Sequence, residues 1–266
     1  MGMTDHAAIL GAARAEGRRH AALAGAVLAA AILALAVTGF FDGQRFAEGL
    51  PAFAQLFHEM VPPDFTRWRS WLKPLSDTLA MSVAGTALAV LLSLPLALLA
   101  APNISPHPLL LLATRTLLSF LRSVPEIILG IIFVAAVGFG ALPGVLALAL
   151  HSVGMVGKFY AEAIEHVDPR PLEAARAAGA GPLQVITHAV LPQVLPQLAD
   201  ITIYRWEYHF RASAVLGIVG AGGIGFELIA ALRLLDYAQV SAILLAILAC
   251  VVVVDGIGAQ LRRRLK

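Results

Sequence analysis

Residues 168–192, DPRPLEAARAAGAGPLQVITHAVLP, form a polar, alanine-rich connection between two long apolar stretches of the chain. Asp168 followed by Pro169 is typical of a helix start, because the Asp side chain caps free N–H groups and proline fits the first helical position. Gly179 is expected to adopt the left-handed backbone conformation that ends this helix, and Pro182 can begin the next one. The stretch therefore predicts a short helix. Its surface consists largely of small alanine side chains, so the helix could fit closely into a groove of another protein.

The composition of the whole chain indicates a membrane protein. Of its 266 residues, 59% are hydrophobic and 14% are charged, whereas a typical soluble domain is about 45–50% apolar and about 25% charged. The net charge is only +2 and the basic residues are scattered, so nucleic-acid binding is not expected. The single Cys250 excludes an intrachain disulfide, and His151, His188 and His209 lack partners at metal-ligand spacing, so no metal site is expected.

Apolar segments long enough to cross a membrane recur along the chain, since a hydrocarbon core of about 30 Å needs about 20 helical residues. The sequence predicts an all-α integral membrane protein with six transmembrane helices, at residues 21–41, 76–101, 124–141, 144–166, 194–219 and 238–258. Residues 108–121 contain Arg115 and are followed by Arg122, so they predict a short interfacial helix instead of a span.

Lysine and arginine residues predict the orientation, because they are enriched in the cytoplasmic segments of membrane proteins. Placing the N-terminus in the cytoplasm puts most of these residues inside, and both termini are then cytoplasmic. Arg18 and Arg19 resemble part of a twin-arginine signal, but the apolar run that follows is long for a signal peptide, so a retained first helix is expected. Residues 42–74 form the longest outer loop, whose aromatic side chains are expected in the membrane interface, with docking of an outer partner as the alternative.

The connection quoted above resembles the EAA loop of bacterial ABC importer permeases. The pattern E-A-A-x3-G-x9-I-x-L-P is matched without a gap at Glu173, Ala174, Ala175, Gly179, Leu191 and Pro192. Ala189 departs from the pattern, which has isoleucine there, and predicts looser local packing. The blocks 122–133, 173–196 and 204–225 extend the resemblance to the phosphonate permeases (PhnE-like), over about residues 75–260.

This resemblance implies the type I permease fold of ABC importers (MetI-like) in a bacterial inner membrane. It implies a permease dimer, expected as a homodimer, on a cytoplasmic dimer of ABC ATPases, with a periplasmic or lipid-anchored substrate-binding protein outside. The helix around Glu173 would be the coupling helix that docks into the ATPase. ATP and Mg²⁺ are used by that ATPase, whereas this chain has no G-x4-G-K-[ST] phosphate loop and is expected to bind no cofactor and to catalyse no reaction.

The expected function is translocation of phosphonate, or a related phosphorus oxyanion, by alternating access. Phosphite, hypophosphite, phosphate and methionine are alternatives, because the binding protein largely determines the substrate. A structural scaffold is disfavoured by the spacing of the EAA loop. The expected organisation is a cytoplasmic tail at 1–20, a first span and outer loop at 21–74, a permease domain at 75–260 that includes the loop 168–192, and a basic tail at 261–266.

Arg205, Glu207 and Arg211 are ionisable residues within a predicted span, where such groups are costly and usually face the protein interior or a wet cavity. Glu207 and Arg211 are four residues apart and can pair on one helix face. One interpretation is that Arg205 or Arg211 donates charge-assisted bonds to an anion in transit. The other, slightly favoured, is a structural ion-pair network between helices or subunits.

The stretch VGAGGIG, residues 219–225, contains Gly220, Gly222, Gly223 and Gly225 and formally matches a dinucleotide-binding turn. That reading would make the chain a membrane oxidoreductase, but it requires a preceding strand and an acidic residue about 20 positions later. The preceding segment is instead a predicted span, and the residue 20 positions after Gly225 is apolar. The glycines are expected to form a hinge or gate at the outer end of the transport path, with the next helix beginning near Phe226.

Overall fold

The protein is described here from a computed structural model that covers residues 4–265; residues 1–3 and 266, which belong to the predicted tails, lie outside it. The described chain is helical throughout, with α1 at Thr4–Val37, α2 at Gly43–Glu59, α3 at Trp68–Ala100, α4 at Pro108–Ser123, α5 at Glu126–Val137, α6 at Ala141–Glu165, α7 at Pro169–Ala177, α8 at Pro182–Val185, α9 at Leu191–Leu216, α10 at Ile224–Arg233 and α11 at Tyr237–Leu265. A π-helical turn at Ile186–Val190 joins α8 to α9, and a 3₁₀ turn at Gly217–Val219 follows α9. The chain divides into two compact units, residues 1–58 and 59–266.

The first unit contains α1 and nearly all of α2. Residues Glu16–Val37 of α1 are apolar enough to cross a membrane, and none of the most apolar window is buried within the protein. The predicted outer loop 42–74 is largely helical, because α2 occupies its first half and α3 begins at Trp68. Its exposed apolar side chains recur every three or four positions, at Phe46, Leu50, Phe53 and Phe57. This spacing places the apolar side chains on one face of α2, as in an amphipathic helix.

The number of spans depends on how two bent helix pairs are counted. Four helices are long and apolar enough to cross on their own, within Glu16–Val37, Trp68–Ala100, Ala141–Glu165 and Tyr237–Arg264. The α4–α5 pair is bent by 84°, and the segment Pro182–Val219 meets α10 at 44°. Counting each pair as one span gives the predicted six.

The predicted continuous span at 124–141 is wrong. Helix α5 has only 12 residues, which at 1.5 Å per residue is about 18 Å and too short to cross alone. The chain breaks at Val124 and Pro125, because a residue before proline is pushed into extended backbone and Pro125 has no N–H to continue the helix of α4. The predicted interfacial helix at 108–121 is α4, whose Leu118 is buried in the helix bundle.

Helix α6 lies at the centre of the second unit and approaches its neighbours at glycines. A Cβ added to Gly144 would lie 2.6 Å from the sulfur of Met81 in α3. A Cβ added to Gly154 would lie 2.6 Å from the backbone N of Arg122 and the carbonyl O of Leu118 in α4. Small residues at helix interfaces let backbones pack closely, which drives association in a membrane where apolar burial does not.

The glycines of residues 219–225 turn the chain sharply between α9 and α10. Gly220, Gly222 and Gly223 have φ of 94°, 74° and 72°, a region in which other residues are strained. Helix α10 begins at Ile224, two residues before the expected start, and the Ile224 N–H donates to Thr78 Oγ1 of α3 at 2.9 Å. Because a helix and not a strand precedes these glycines, the dinucleotide-binding interpretation is wrong.

We expect Gly225→Ala to destabilise the protein, because the added Cβ would collide with the Ala214 carbonyl oxygen, a backbone atom that cannot rotate away. Overpacking of a core typically costs about 1–3 kcal/mol, and a backbone clash should fall at or above the upper end. Thermal unfolding of the purified protein should give a lower midpoint for G225A. Gly256→Ala is the matched control, since a Cβ there meets nothing within 4 Å. Equal midpoints for the two variants would contradict the backbone contact.

Candidate functional site

The predicted short helix of the EAA loop is present as α7, and its start is capped as expected. The Asp168 carboxylate accepts a hydrogen bond from the Arg170 backbone N–H at 3.0 Å and from the Arg170 guanidinium. These side-chain and backbone hydrogen bonds hold the pKa of Asp168 below its usual value and raise that of Arg170. The cap therefore stays charged at neutral pH, where it can stabilise the positive end of the helix dipole.

The end of α7 is fixed by two backbone hydrogen bonds around Gly179, which has φ of 84°. The Gly179 N–H donates to the Arg176 carbonyl and the Ala180 N–H donates to the Ala175 carbonyl, both at 3.0 Å. This pair of bonds is the Schellman arrangement, in which a left-handed glycine satisfies the last carbonyls of a helix. The chain turns at Gly179 and begins α8 at Pro182.

Helix α7 has one face packed on the bundle and one face free for another molecule. Leu172 is 3% exposed and belongs to the core formed with α6 and α9, and Ala175 packs partly against it. Glu173 and Ala174 point outward and are exposed. The Glu173 carboxylate makes no hydrogen bond or ion pair with any side chain or backbone group that the structure describes. A small-residue surface with one free carboxylate is thus presented outside the bundle.

The second half of the EAA loop contains a feature that the sequence analysis missed. Pro192 cannot donate to the carbonyl four residues earlier, and the helix widens into a π turn over Ile186–Val190 just before it. Ala189, where the family pattern has isoleucine, is 5% exposed and lies in the same core as Leu172. Leu191 and Pro192 are exposed.

Gln193 links the start of α7 to α9. Its Oε1 accepts from the Asp168 backbone N–H at 3.0 Å, and its Nε2 donates to the Ala189 carbonyl at 2.6 Å. One side chain near the start of α9 therefore holds the first residue of the loop, 25 positions earlier. No sequence signal identified it, because an isolated glutamine after Leu-Pro fits many roles.

A buried polar chain crosses the middle of the second unit. Arg205, 3% exposed, donates from Nε to the Ser152 hydroxyl at 2.7 Å. Ser152 in turn contacts His209 Nε2, and His209 Nδ1 lies 2.7 Å from the hydroxyl of Thr86. The Thr86 hydroxyl donates to the Ser82 carbonyl, so its oxygen is free to accept from His209. A neutral His209 that donates from Nδ1 and accepts at Nε2 therefore gives each of these side chains a hydrogen-bond partner. The chain joins α3, α6 and α9.

Arg205 also connects this hydrogen-bonded chain of side chains to α5. Its guanidinium carbon lies 4.2 Å from the centre of the Tyr208 ring, and the Tyr208 hydroxyl donates to Glu126 Oε1 at 2.6 Å. Glu126 Oε2 lies 3.6 Å from His151 Nε2. One guanidinium nitrogen, Arg205 Nη2, is buried without a hydrogen-bond partner among the described residues. Sequence reasoning could have found Glu126 as an ionisable residue in a predicted span, whereas Thr86 and Ser152 carried no signal.

The predicted pairing of Glu207 with Arg211 is wrong. Glu207 pairs with Arg262 at 2.8 Å, and Arg211 pairs with Asp255 at 2.8 Å. Both partners are on α11, so the charges of α9 link two helices and not two turns of one. Of the three residues, only Arg205 lies in the polar chain that crosses the bundle.

Comparisons with known proteins agree with this architecture. Residues 93–266 match the family described as "Binding-protein-dependent transport system inner membrane component". The chain is 63% identical over 240 residues to the phosphite transport system permease protein PtxC of Stutzerimonas stutzeri, covering 90% of this chain and 87% of that protein. It is 42% identical over 216 residues to the phosphate-import permease protein PhnE of Mycolicibacterium smegmatis, covering 81% of this chain and 41% of that protein.

Among solved structures, the fold is similar to that of the MetNI methionine ABC transporter in inward-facing conformations. The TM-score is 0.65 at 22% identity, over 74% of this chain and 96% of that chain. This likeness confirms the expected all-α, MetI-like fold. The chain belongs to the inner membrane components of binding-protein-dependent transport systems and is a multi-pass permease subunit of an ABC importer.

Proposed function

We propose that this permease imports a small phosphorus oxyanion, with phosphite as the first candidate and phosphonate as the second. The observation that carries the substrate proposal is the 63% identity to a phosphite permease over 90% of this chain. The expected partners are a cytoplasmic ABC ATPase dimer that hydrolyses ATP, an outer substrate-binding protein, a second copy of this chain and the surrounding lipid. Both termini would face the cytoplasm.

In this proposal α7 is the coupling helix. Its exposed face, with Glu173 and Ala174, would enter a cleft on the ATPase, while Leu172 and Gln193 hold its other side to the bundle. Closure of the two ATPases would bring the two coupling helices together. Because the packed side of α7 is tied to α6 and α9, that displacement would rock both helices and change which side of the membrane the path opens to.

The intramembrane residues receive separate roles. The Glu207–Arg262 and Arg211–Asp255 pairs would hold α9 against α11. Arg205, with one free guanidinium nitrogen, would be the donor closest to a passing anion once the bundle opens. The glycine turn with Gly220, Gly222, Gly223 and Gly225 would act as the outer gate, since it rests on Thr78 of α3 and would move when α3 and α9 separate.

We expect cells that produce this permease with its ATPase and binding protein to take up phosphite in an ATP-dependent manner. Growth on phosphite as the sole phosphorus source requires a phosphite-oxidising host, so uptake of radiolabelled phosphite is the direct measurement. Methylphosphonate, phosphate and methionine serve as competitors. Competition by methionine but not by phosphorus oxyanions would contradict the substrate proposal.

Glu173→Ala should reduce transport while leaving the permease folded and in the membrane. The carboxylate has no partner in the described chain, so its loss should act only through the ATPase, and we expect at least a tenfold fall in phosphite uptake. Uptake and ATP hydrolysis should both be measured in proteoliposomes. Glu16→Ala, at an exposed glutamate of α1, is the control. Normal uptake by E173A would remove α7 from the coupling role.

Gln193→Ala should weaken the mechanical link between α7 and α9 without removing the docking face. We expect ATP hydrolysis to continue while phosphite transported per ATP falls by a factor of about two to ten, as one or two hydrogen bonds worth about 1 kcal/mol each are lost. Gln197→Ala, at an exposed glutamine one turn further along α9, is the matched control. If Q193A transports as much phosphite per ATP as the wild type, the Gln193 link has no mechanical role in transport.

A further inference from the structure

A charged cleft of about 190 Å³ opens between α4 and α6, at the end of the bundle that carries the EAA loop. Its wall includes Ala100, Arg115, Arg122, Lys158, Glu162 and Glu165. Glu165 is the last residue of α6, only three positions before Asp168. The cleft therefore lies beside the proposed coupling helix and is separate from the buried chain around Arg205.

Close packing at Gly154 fixes the geometry of the cleft. The absence of a side chain there lets α4 approach α6 until its backbone at Arg122 would be 2.6 Å from an added Cβ. Lys158 is one helical turn after Gly154 on α6, so its ammonium group projects from the same face as the contact. Arg122 and Lys158 are thus held on opposite walls by a backbone contact and not by flexible side chains.

The cationic side chains of the cleft differ in their hydrogen-bond and ion-pair partners. Arg115 donates to the Ala100 carbonyl at 2.9 Å and is ion-paired with Glu165. Lys158 lies 3.3 Å from Glu162. The side chain of Arg122 is exposed and has no hydrogen-bond or ion-pair partner among the described residues. Three cations and two carboxylates leave the wall with one positive charge in excess, and the guanidinium of Arg122 is free.

We propose that this cleft binds a tetrahedral phosphorus oxyanion, held by the guanidinium of Arg122 and the ammonium of Lys158. A guanidinium presents two parallel N–H donors that match two oxygens of such an anion, and a lysine adds a point charge. The carboxylates of Glu162 and Glu165 repel the anion and keep its binding weak, which suits a site that must release its ligand. The choice of phosphite as the transported anion rests on the proposed function.

The same chemistry has two possible sources, a free anion leaving the path and the phosphate of a lipid headgroup. Basic clefts between membrane helices near the cytoplasmic side bind anionic headgroups. Both sources would use the same two cations, because both present negatively charged oxygens on phosphorus. The composition of the surrounding bilayer distinguishes them.

The test uses the permease–ATPase complex without the binding protein, reconstituted in nanodiscs of phosphatidylcholine. Broadening of the ³¹P resonance of added phosphite should report fast exchange with the cleft, and Arg122→Gln should raise the apparent Kd at least tenfold. Lys158→Met should have a smaller effect in the same direction. Arg233→Gln, at an exposed arginine in the last turn of α10, is the matched control and should bind as the wild type does.

Repetition in nanodiscs with phosphatidylglycerol identifies the source. Weaker phosphite binding in the wild type but not in R122Q would show that a headgroup occupies the cleft, and equal binding would assign the cleft to the free anion. No broadening in wild-type protein in either bilayer, or equal broadening in R122Q, overturns the proposal. Inorganic phosphate is titrated in parallel. Binding of phosphate to the cleft would support an oxyanion site even if uptake assays show that phosphite is not the transported anion.

Discussion

The glycines of α6 allow the contacts on which the rest of the bundle depends. At Gly144, Gly154 and Gly157 a side chain would collide with Met81 or with α4 at less than 3 Å. Inside a membrane, helices gain little from burying apolar surface, so the closeness of packing decides which helices associate. The same contacts set where Arg122 stands relative to α6 and where α3 presents Thr86 to His209. Small residues on one helix thus position polar groups on two others.

The bundle combines a rigid centre with joints at its edges. The hydrogen-bonded chain from Arg205 through Ser152 and His209 to Thr86 ties three helices together, and a broken buried chain would leave unpaired polar groups in an apolar environment. The joints are the break before α5, where Pro125 has no N–H to donate, and the glycine turn before α10, where three glycines have positive φ. In the proposed mechanism, a displacement of α7 would move α6 and α9 together and change the angles at these joints.

Much of the fold could be predicted from the sequence, because long apolar segments and helix caps act locally. The helix of the EAA loop, its cap at Asp168 and its end at Gly179 follow from side-chain chemistry within a few residues. The break before α5 was also visible at Pro125, but apolar length outweighed it in the prediction. The amphipathic period of α2 is harder to recognise, because aromatic residues beside a membrane are also typical of an interfacial belt.

The polar connections of the site could not be predicted, because they depend on which helices become neighbours. Gln193 and Ser152 are ordinary residues in the sequence and gain partners 25 and 57 positions away. The glycine turn illustrates the opposite error, in which a local pattern suggested a nucleotide. Backbone freedom is a property of glycine in any context, and the element before the turn decides what that freedom is used for.

Glu207 shows why tertiary contacts outweigh helical spacing in a membrane. A pair four residues apart on one helix contributes only about 0.2–0.5 kcal/mol, whereas a buried charge left without a partner costs several times more. The Glu207 side chain is 7% exposed, and Arg262 on α11 reaches it while Arg211, 43% exposed, turns to Asp255. The more buried carboxylate takes its cation from the neighbouring helix, so its partner depends on how α11 packs and not on the spacing along α9. Each such cross-pair also binds α9 to α11, so the requirement to neutralise a charge becomes a constraint on how the helices are arranged.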